Sequence, residues 1–207
     1  MFNIPKEVSR VTETLQNNGF QAYLVGGCVR DLIRGEKPKD WDITTNATPE
    51  QIQKLFEHSF YENDYGTVGV VNEDVSDETL KVVEVTPFRI EGKYTDGRRP
   101  DTVHFSDKLE DDLKRRDFTI NAIAYDTDKG HVIDLYKGQE DIKDKVLRTV
   151  GDAETRFAED YLRILRAVRF ASELGFTIDT ATEKAIKNNV KQLENVSRER
   201  VRDEFSK

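Results

Sequence analysis

LVGGCVRDLIRGEKPKDWDI, Leu24 to Ile43, decides how the rest of the chain is read. An apolar run, two glycines, a short helical pattern and a second strand bearing Asp-x-Asp follow in close order. Side chains at i and i+2 of a strand share a face. Asp40 and Asp42 would then project together, their Cα atoms ~6.5–7 Å apart, with Trp41 turned into the core. Two like charges on one face repel unless a cation lies between them. Oxygen donors in such a pair suit Mg²⁺, which takes one or two carboxylates plus substrate phosphates. The plainer alternative is a solvated turn. The upstream residues add to the first reading: Gly26 and Gly27 let backbone approach a ligand closely. Helix N-termini hold phosphate through free N–H groups, and Arg30 adds a charge-assisted donor. Neither a dinucleotide fingerprint nor a Walker P-loop is present. Glu84, in LKVVEVTPF, is the candidate third carboxylate, or else an outward-facing polar residue of an amphipathic strand.

The chain has 207 residues, 35% of them charged and 36% hydrophobic, enough for one large domain or two small ones. A single cysteine, Cys28, rules out an intrachain disulfide and a cysteine-rich zinc site. That usage suits a reducing cytosol. No apolar run approaches the ~20 residues that span a bilayer, and the first residues lack a signal-peptide pattern. The expectation is a cytoplasmic protein with no membrane partner. Net charge is −8, and residues 151–207 balance at eleven basic against eleven acidic, so the first 150 residues carry the whole excess. Any nucleic-acid surface must be a local arginine patch on an acidic body. His58, His104 and His131 fall in different elements and are assigned no metal.

Two regimes appear along the chain. Up to about residue 150, QAYLVGG, TVGVVN, LKVVEVTPF, INAIAYD and HVIDLY read as strands. Among them stand helical patterns: EVSRVTETLQNNG ending at Gly19, CVRDLIRG, and TPEQIQKLFE with Thr48 as N-cap and Pro49 in first position. From Asp152 on, apolar residues recur at three- and four-residue spacing only, in AEDYLRILRAVRFASELG, DTATEKAIKNNVKQLEN and SRERVRDEFSK. The expected domains are therefore 1–150, α/β (α+β) with a small mixed or antiparallel sheet flanked by helices, and an all-α 151–207. The stretch Ile90 to Leu113 is polar and long for a loop inside a compact domain.

With these residues in view, LVGGCVRDLIRGEKPKDWDI resembles the signature of the DNA polymerase beta-like nucleotidyltransferases, in the class II tRNA nucleotidyltransferase and bacterial poly(A) polymerase branch. RRDFTINAIAYD, Arg115 to Asp126, and EDYLRILRAVRFASELGF, Glu159 to Phe176, are similar to two further motifs of that branch, in order and spacing. The resemblance implies a catalytic head with Asp40, Asp42 and Glu84, and a helical neck that reads the incoming base. It implies addition of C and A to the tRNA 3′ end from CTP and ATP with Mg²⁺. The alternatives are an A-adding-only enzyme, a bacterial poly(A) polymerase, or a catalytically inactive nucleotide- or RNA-binding module. Family members continue into body and tail domains that hold tRNA. This sequence ends within a neck-like pattern, so the expectation is a truncated neck and weak tRNA extension.

Asp160 and Arg163, at i and i+3 of a presumed helix, would share one face. An ionised Asp only accepts and an Arg only donates. Together they would match the amine and ring nitrogen of cytosine or adenine and oppose uracil and guanine, at about 1–3 kcal/mol per good bidentate contact. The other reading is an intrahelical ion pair on a solvated face. By resemblance, Arg166 and Arg169 help bind base and phosphates, and Arg116 and Asp117 contact the nucleotide and its sugar, with a structural pair as the alternative. The resemblance also places a flexible loop at Ile90–Leu113, which favours addition of A.

Overall fold

The structure is a computed structural model and describes residues 2–62, 66–92 and 102–206. In chain order the elements are α1 (Lys6–Asn17), β1 (Ala22–Val25), α2 (Gly27–Ile33), β2 (Asp42–Thr45), α3 (Pro49–Leu55), β3 (Ser59–Tyr61), β4 (Val68–Val71) and β5 (Val82–Pro87). Then come β6 (Arg89–Glu91), β7 (Val103–Phe105), α4 (Leu109–Lys114), β8 (Ile123–Asp126), β9 (His131–Asp134), α5 (Gly138–Asp144) and β10 (Val146–Leu147). The last are α6 (Ala153–Glu159), α7 (Leu162–Leu174), β11 (Thr177–Ile178), α8 (Thr180–Asn189) and α9 (Arg198–Phe205).

Seven strands form one mixed sheet in the order β3-β4-β5-β2-β1-β8-β9. Within it only β2 and β5 run parallel; the other neighbours are antiparallel. One face is apolar throughout. Leu24, Ile43, Val68, Val70, Val83 and Val85 meet Val8, Val11 and Leu15 of α1, and all are buried. Trp41 lies in that core at 2% exposure, as its expected inward direction requires. Among the described residues, α4 covers one end of the other face, packing Leu109 and Leu113 on Val25, Phe88 and Ala124. The strand register leaves a row across the rest of this face: Asp42 pairs with Glu84, Glu84 with Gly69, and Gly69 with Phe60.

Local signals account for several boundaries. Thr48 accepts from the Gln51 N–H while the Gln51 side chain accepts from Thr48 N–H, a capping box with Pro49 at the first position of α3. Gly19, at φ +85°, follows the end of α1. Other boundaries differ from expectation. INAIAYD begins as a 3₁₀ turn, Thr119–Asn121, and becomes strand only at Ile123. The third of the last helical patterns forms α9, while the second passes from α8 into a 3₁₀ segment at Val190–Asn195. Ile90–Leu113 is not a plain loop: β6 and β7 pair as a hairpin and Leu109 opens α4. The middle of that proposed loop, 93–101, lies outside the described residues. The helices after residue 150 have a small apolar cluster of their own, Ala153, Phe157, Ile164 and Ala185, while Ala167, Phe170 and Phe176 join the cluster beneath the sheet.

The 3₁₀ turn is pressed on α5. A Cβ on Gly138 would stand 2.3 Å from the Thr119 carbonyl oxygen, which is backbone and cannot swing aside. Gly138→Ala is expected to cost about 1–3 kcal/mol through overpacking, read as a lower urea midpoint. An unchanged midpoint would show that the turn has room to move.

Candidate active site

β1 delivers the chain to Gly26, whose φ of 81° and ψ of −136° suit glycine alone. A Cβ there would stand 3.1 Å from Arg116 Nη1 and 3.4 Å from Asp42 Oδ2. One on Gly27 would stand 3.6 Å from Arg30 Nη2 and 3.7 Å from Asp40 Oδ1. The double glycine thus lays main chain against two arginines and two aspartates at once. A cleft of about 790 Å³ opens at this point, lined by Gly26, Gly27, both aspartates, Arg30, Arg116, Asp117, Arg166 and Arg169, among others.

Asp42 is the first residue of β2, whereas Asp40 sits in the bend before it and is exposed. The expectation of one strand carrying both is corrected, because the strand begins only after Trp41. The two acids still meet the same glycine pair. Burial, then the charges of Asp40 and Glu84, push the Asp42 carboxyl up to about 7, against the opposing pull of Arg116 and Arg30. Glu84 faces this site: it is the cross-strand partner of Asp42, and its N–H donates to the Trp41 carbonyl at 3.0 Å. Among the described residues, no three His, Cys, Asp or Glu side chains close into a metal site by themselves. Cys28, just after the glycines, is fully buried, and burial pushes its thiol up to about 12, so it is no nucleophile.

The arginines are held by carboxylates of their own. Arg30 donates Nε and Nη2 to Asp31 at 2.9 and 3.0 Å, and Nη1 to Asn121 at 2.9 Å. Arg116 and Arg115 share Asp112, at 2.9 and 2.7 Å. Burial would raise the Asp112 carboxyl, but the two guanidinium groups outweigh it and hold it at about 2. Asp117 accepts from Arg166 Nη2 at 2.7 Å and Nε at 2.9 Å, and from the Phe118 N–H at 2.8 Å. Burial opposes ionisation there too, and Arg166 overrides it, again to about 2. Arg169 donates to Glu204 at 2.7 Å and Glu173 at 2.8 Å. The guanidinium carbons of Arg30, Arg166 and Arg169 surround the Phe170 ring at 5.5, 5.2 and 4.3 Å from its centroid.

Asp160 and Arg163 do not line this cleft. The helix is interrupted at Asp160 and Tyr161, between α6 and α7: Asp160 is extended (φ −151°, ψ 105°), and its carboxylate accepts from the Leu162 N–H at 3.0 Å to open α7. They are not i,i+3 neighbours on one helical face. Asp160 is bound by Arg200 of α9 at 2.8 and 3.1 Å. Arg163 is buried, paired with Glu159, and donates to the Arg156 carbonyl at 2.9 Å. Residues that sequence reasoning passed over are Asp112, Asn121, Phe170 and Glu204. Only Phe170 carried a signal, as an aromatic at the buried edge of an arginine-rich helix.

A glycine turn is thus set between carboxylates and arginines on the sheet face. The family profile described as "Poly A polymerase head domain" matches residues 22–148, and the chain belongs to that family. A second profile, "Probable RNA and SrmB- binding site of polymerase A", matches residues 175–207. Similar curated proteins include the CCA-adding enzymes of Lactobacillus helveticus, 49% identical over 95% of this chain and 48% of that one, and of Oceanobacillus iheyensis, 47% identical over 97% and 49%. Among solved structures, the Bacillus stearothermophilus CCA-adding enzyme in complex with CTP matches with a TM-score of 0.86 and 42% identity, over 98% of this chain and 48% of that one. A tRNA nucleotidyltransferase complexed with a primer tRNA and an incoming ATP analog matches at 0.75 and 31%, over 95% and 55%. The chain therefore spans about half the length of the curated relatives it matches. No helix among the described residues is long and apolar enough to cross a membrane.

The buried acids predict the acid limb of stability. Asp112 and Asp117 have folded values below the ordinary carboxylate value of 3.8. Their stabilisation is complete above about pH 4 and is lost as pH falls towards 2. For Asp112, which has no exposure, a shift of this size corresponds to about 2 kcal/mol. Urea midpoints from pH 5 to 2 should fall steeply, and Asp112→Asn should flatten part of that fall while lowering stability at pH 7. A wild-type profile level down to pH 2 would contradict the pairing.

Proposed function

We propose that this chain is the nucleotide-binding and catalytic portion of a CCA-adding enzyme, which transfers C and A from CTP and ATP to the tRNA 3′ end. The observation that carries it is the placement of Asp40 and Asp42 against the Gly26–Gly27 turn, with Glu84 the cross-strand partner of Asp42, in a chain similar along nearly all its length to CCA-adding enzymes. A poly(A) polymerase would use the same chemistry; the curated relatives favour the tRNA product.

The donor set fits Mg²⁺. Burial first, and then the charges of Asp40 and Glu84, disfavour the ionised form of Asp42, and a divalent cation held by Asp40 and Asp42 would offset both. Asp40 and Asp42 would hold it, and substrate phosphates with water would complete the shell, as this ion prefers. When bound, it supplies acidity to the attacking hydroxyl and neutralises charge on the triphosphate. The rest of catalysis is positioning and charge stabilisation by the chain itself. The Gly26 and Gly27 backbone lies close enough to admit phosphate oxygens, and Arg116 Nη1 stands beside it. Arg30, Arg166 and Arg169 supply further cationic groups at the same cleft. Asp117 sits among them, committed to Arg166, and so acts on a nucleotide sugar only by sharing that guanidinium. Asp160 and Arg163 retain the donor and acceptor logic for cytosine and adenine. To use it they must first leave Arg200 and Glu159.

The test is to give the protein tRNA lacking its 3′ end, with CTP and ATP separately and together, and to sequence the products. The expected product is CCA; runs of A would favour the poly(A) reading. Asp42→Asn should lower transfer by more than about a hundred-fold with the circular dichroism spectrum unchanged. Retained transfer in that variant would overturn the assignment of the acids.

A further inference from the structure

Asp42 stands near the middle of the sheet. On its β1 side lie the glycine turn and the arginine cleft. On its other side the row runs through Glu84 and Gly69 to Phe60, on edge strand β3. Phe60 is 42% exposed. A Cβ on Gly69 would stand 2.6 Å from its Cζ and 2.9 Å from its Cε1. The far end of the ring therefore fills the space a side chain at 69 would take. It reaches inward from the edge strand, over β4, towards Glu84.

We propose that Phe60 is a stacking shelf for the 3′-terminal base of the RNA acceptor; this rests on the nucleotidyl-transfer reading above. In phosphoryl transfer the attacking and leaving oxygens lie roughly in line, on opposite sides of the phosphorus. If the triphosphate occupies the cleft on the β1 side, the acceptor hydroxyl must reach the carboxylates from the β5-β4-β3 side. Strands lie ~4.8 Å apart, so the Phe60 Cα is roughly three spacings from that of Asp42, and its ring returns over one of them. A terminal base on the ring leaves its ribose to bridge the remaining spacings to Asp42. Beside the row and on the same face, the hydroxyls of Thr67 and Thr86 stand 3.1 Å apart, within reach of that sugar. The chemistry also suits the task. An acceptor extended one nucleotide at a time presents a different terminal base at each step. Stacking on an aromatic tolerates any base, because each has a π-face. Gly69 serves the shelf by making room for the ring.

Phe60→Leu keeps an apolar side chain on the edge strand and removes the π-face, whereas Phe60→Tyr keeps it. Expected for Phe60→Leu is a rise of about ten-fold in KM for the RNA acceptor, with KM for CTP and the urea midpoint unchanged. Phe60→Tyr should behave as wild type. A second readout does not need turnover. A short RNA ending in 2-aminopurine should lose fluorescence on binding the wild-type and Tyr proteins, and not the Leu protein. Equal acceptor KM and equal quenching in wild type and Phe60→Leu would overturn the shelf, as would a matching rise in KM for CTP. Absence of CTP transfer by the wild-type protein would instead sink the functional reading, and the quenching result would still decide the shelf.

Discussion

The parallel pairing of β2 with β5 is the constraint on which the site depends. It sets Asp42 and Glu84 side by side on the open face of a sheet whose other face is apolar. Parallel neighbours cannot be joined by a tight turn. The connection here runs through α3 and the antiparallel strands β3 and β4 before β5 returns beside β2. That detour carries like charges into contact that no local turn would bring together. The resulting repulsion, added to burial, appears as the raised Asp42 carboxyl. The sheet's apolar face supplies the stabilisation that offsets it, since each large side chain buried there contributes about 1.5–3 kcal/mol.

The helices after residue 150 serve the same face from the side. α7 presents Arg166 and Arg169 to the cleft, and α9 binds α7 through Glu204 to Arg169 and the bend before α7 through Arg200 to Asp160. Glu204 is 4% exposed, and its buried charge faces Arg169 at 2.7 Å and Arg166 at 3.9 Å. The last described helix is thus tied to the arrangement of arginines two helices earlier. The same tie keeps Asp160 from the cleft. The positions of Asp160 and Arg169 are coupled through one helix rather than set independently.

What the chain's local chemistry controls was legible in advance. The glycine pair before a helix, the capping residues of α3, and Trp41 beneath two acids all follow from neighbours a few positions away. What depends on distant partners was not. Whether Glu84 turned inward or outward was open until β5 found its parallel neighbour. Asp160 read as helical because Glu159 and Leu162 flank it with helical pattern. Its carboxylate instead caps the next helix, a competition with the backbone to which short acidic side chains are prone. Asp112 looked like one more charge in a solvated run, and becomes the buried counter-ion of two arginines only when α4 lies on the sheet.

The acidity of the chain then has a structural use. A guanidinium has five N–H donors, and a carboxylate engaging Nε and one Nη leaves the second Nη directed elsewhere. Asp112 takes Nε and Nη2 of Arg116, and Nη1 is the atom beside Gly26. Asp117 takes Nε and Nη2 of Arg166 in the same way. Asp31 does so for Arg30, whose Nη1 goes to Asn121. In each case the acid fixes the plane of the arginine, and the remaining Nη1 meets Gly26 for Arg116, Asn121 for Arg30 and, at 3.9 Å, Glu204 for Arg166. A net charge of −8 is therefore compatible with binding a polyanion. Asp31, Asp112 and Asp117 lower the total and each also orients an arginine, and at contact distance an oriented donor outweighs a diffuse field that salt screens within about 8–10 Å.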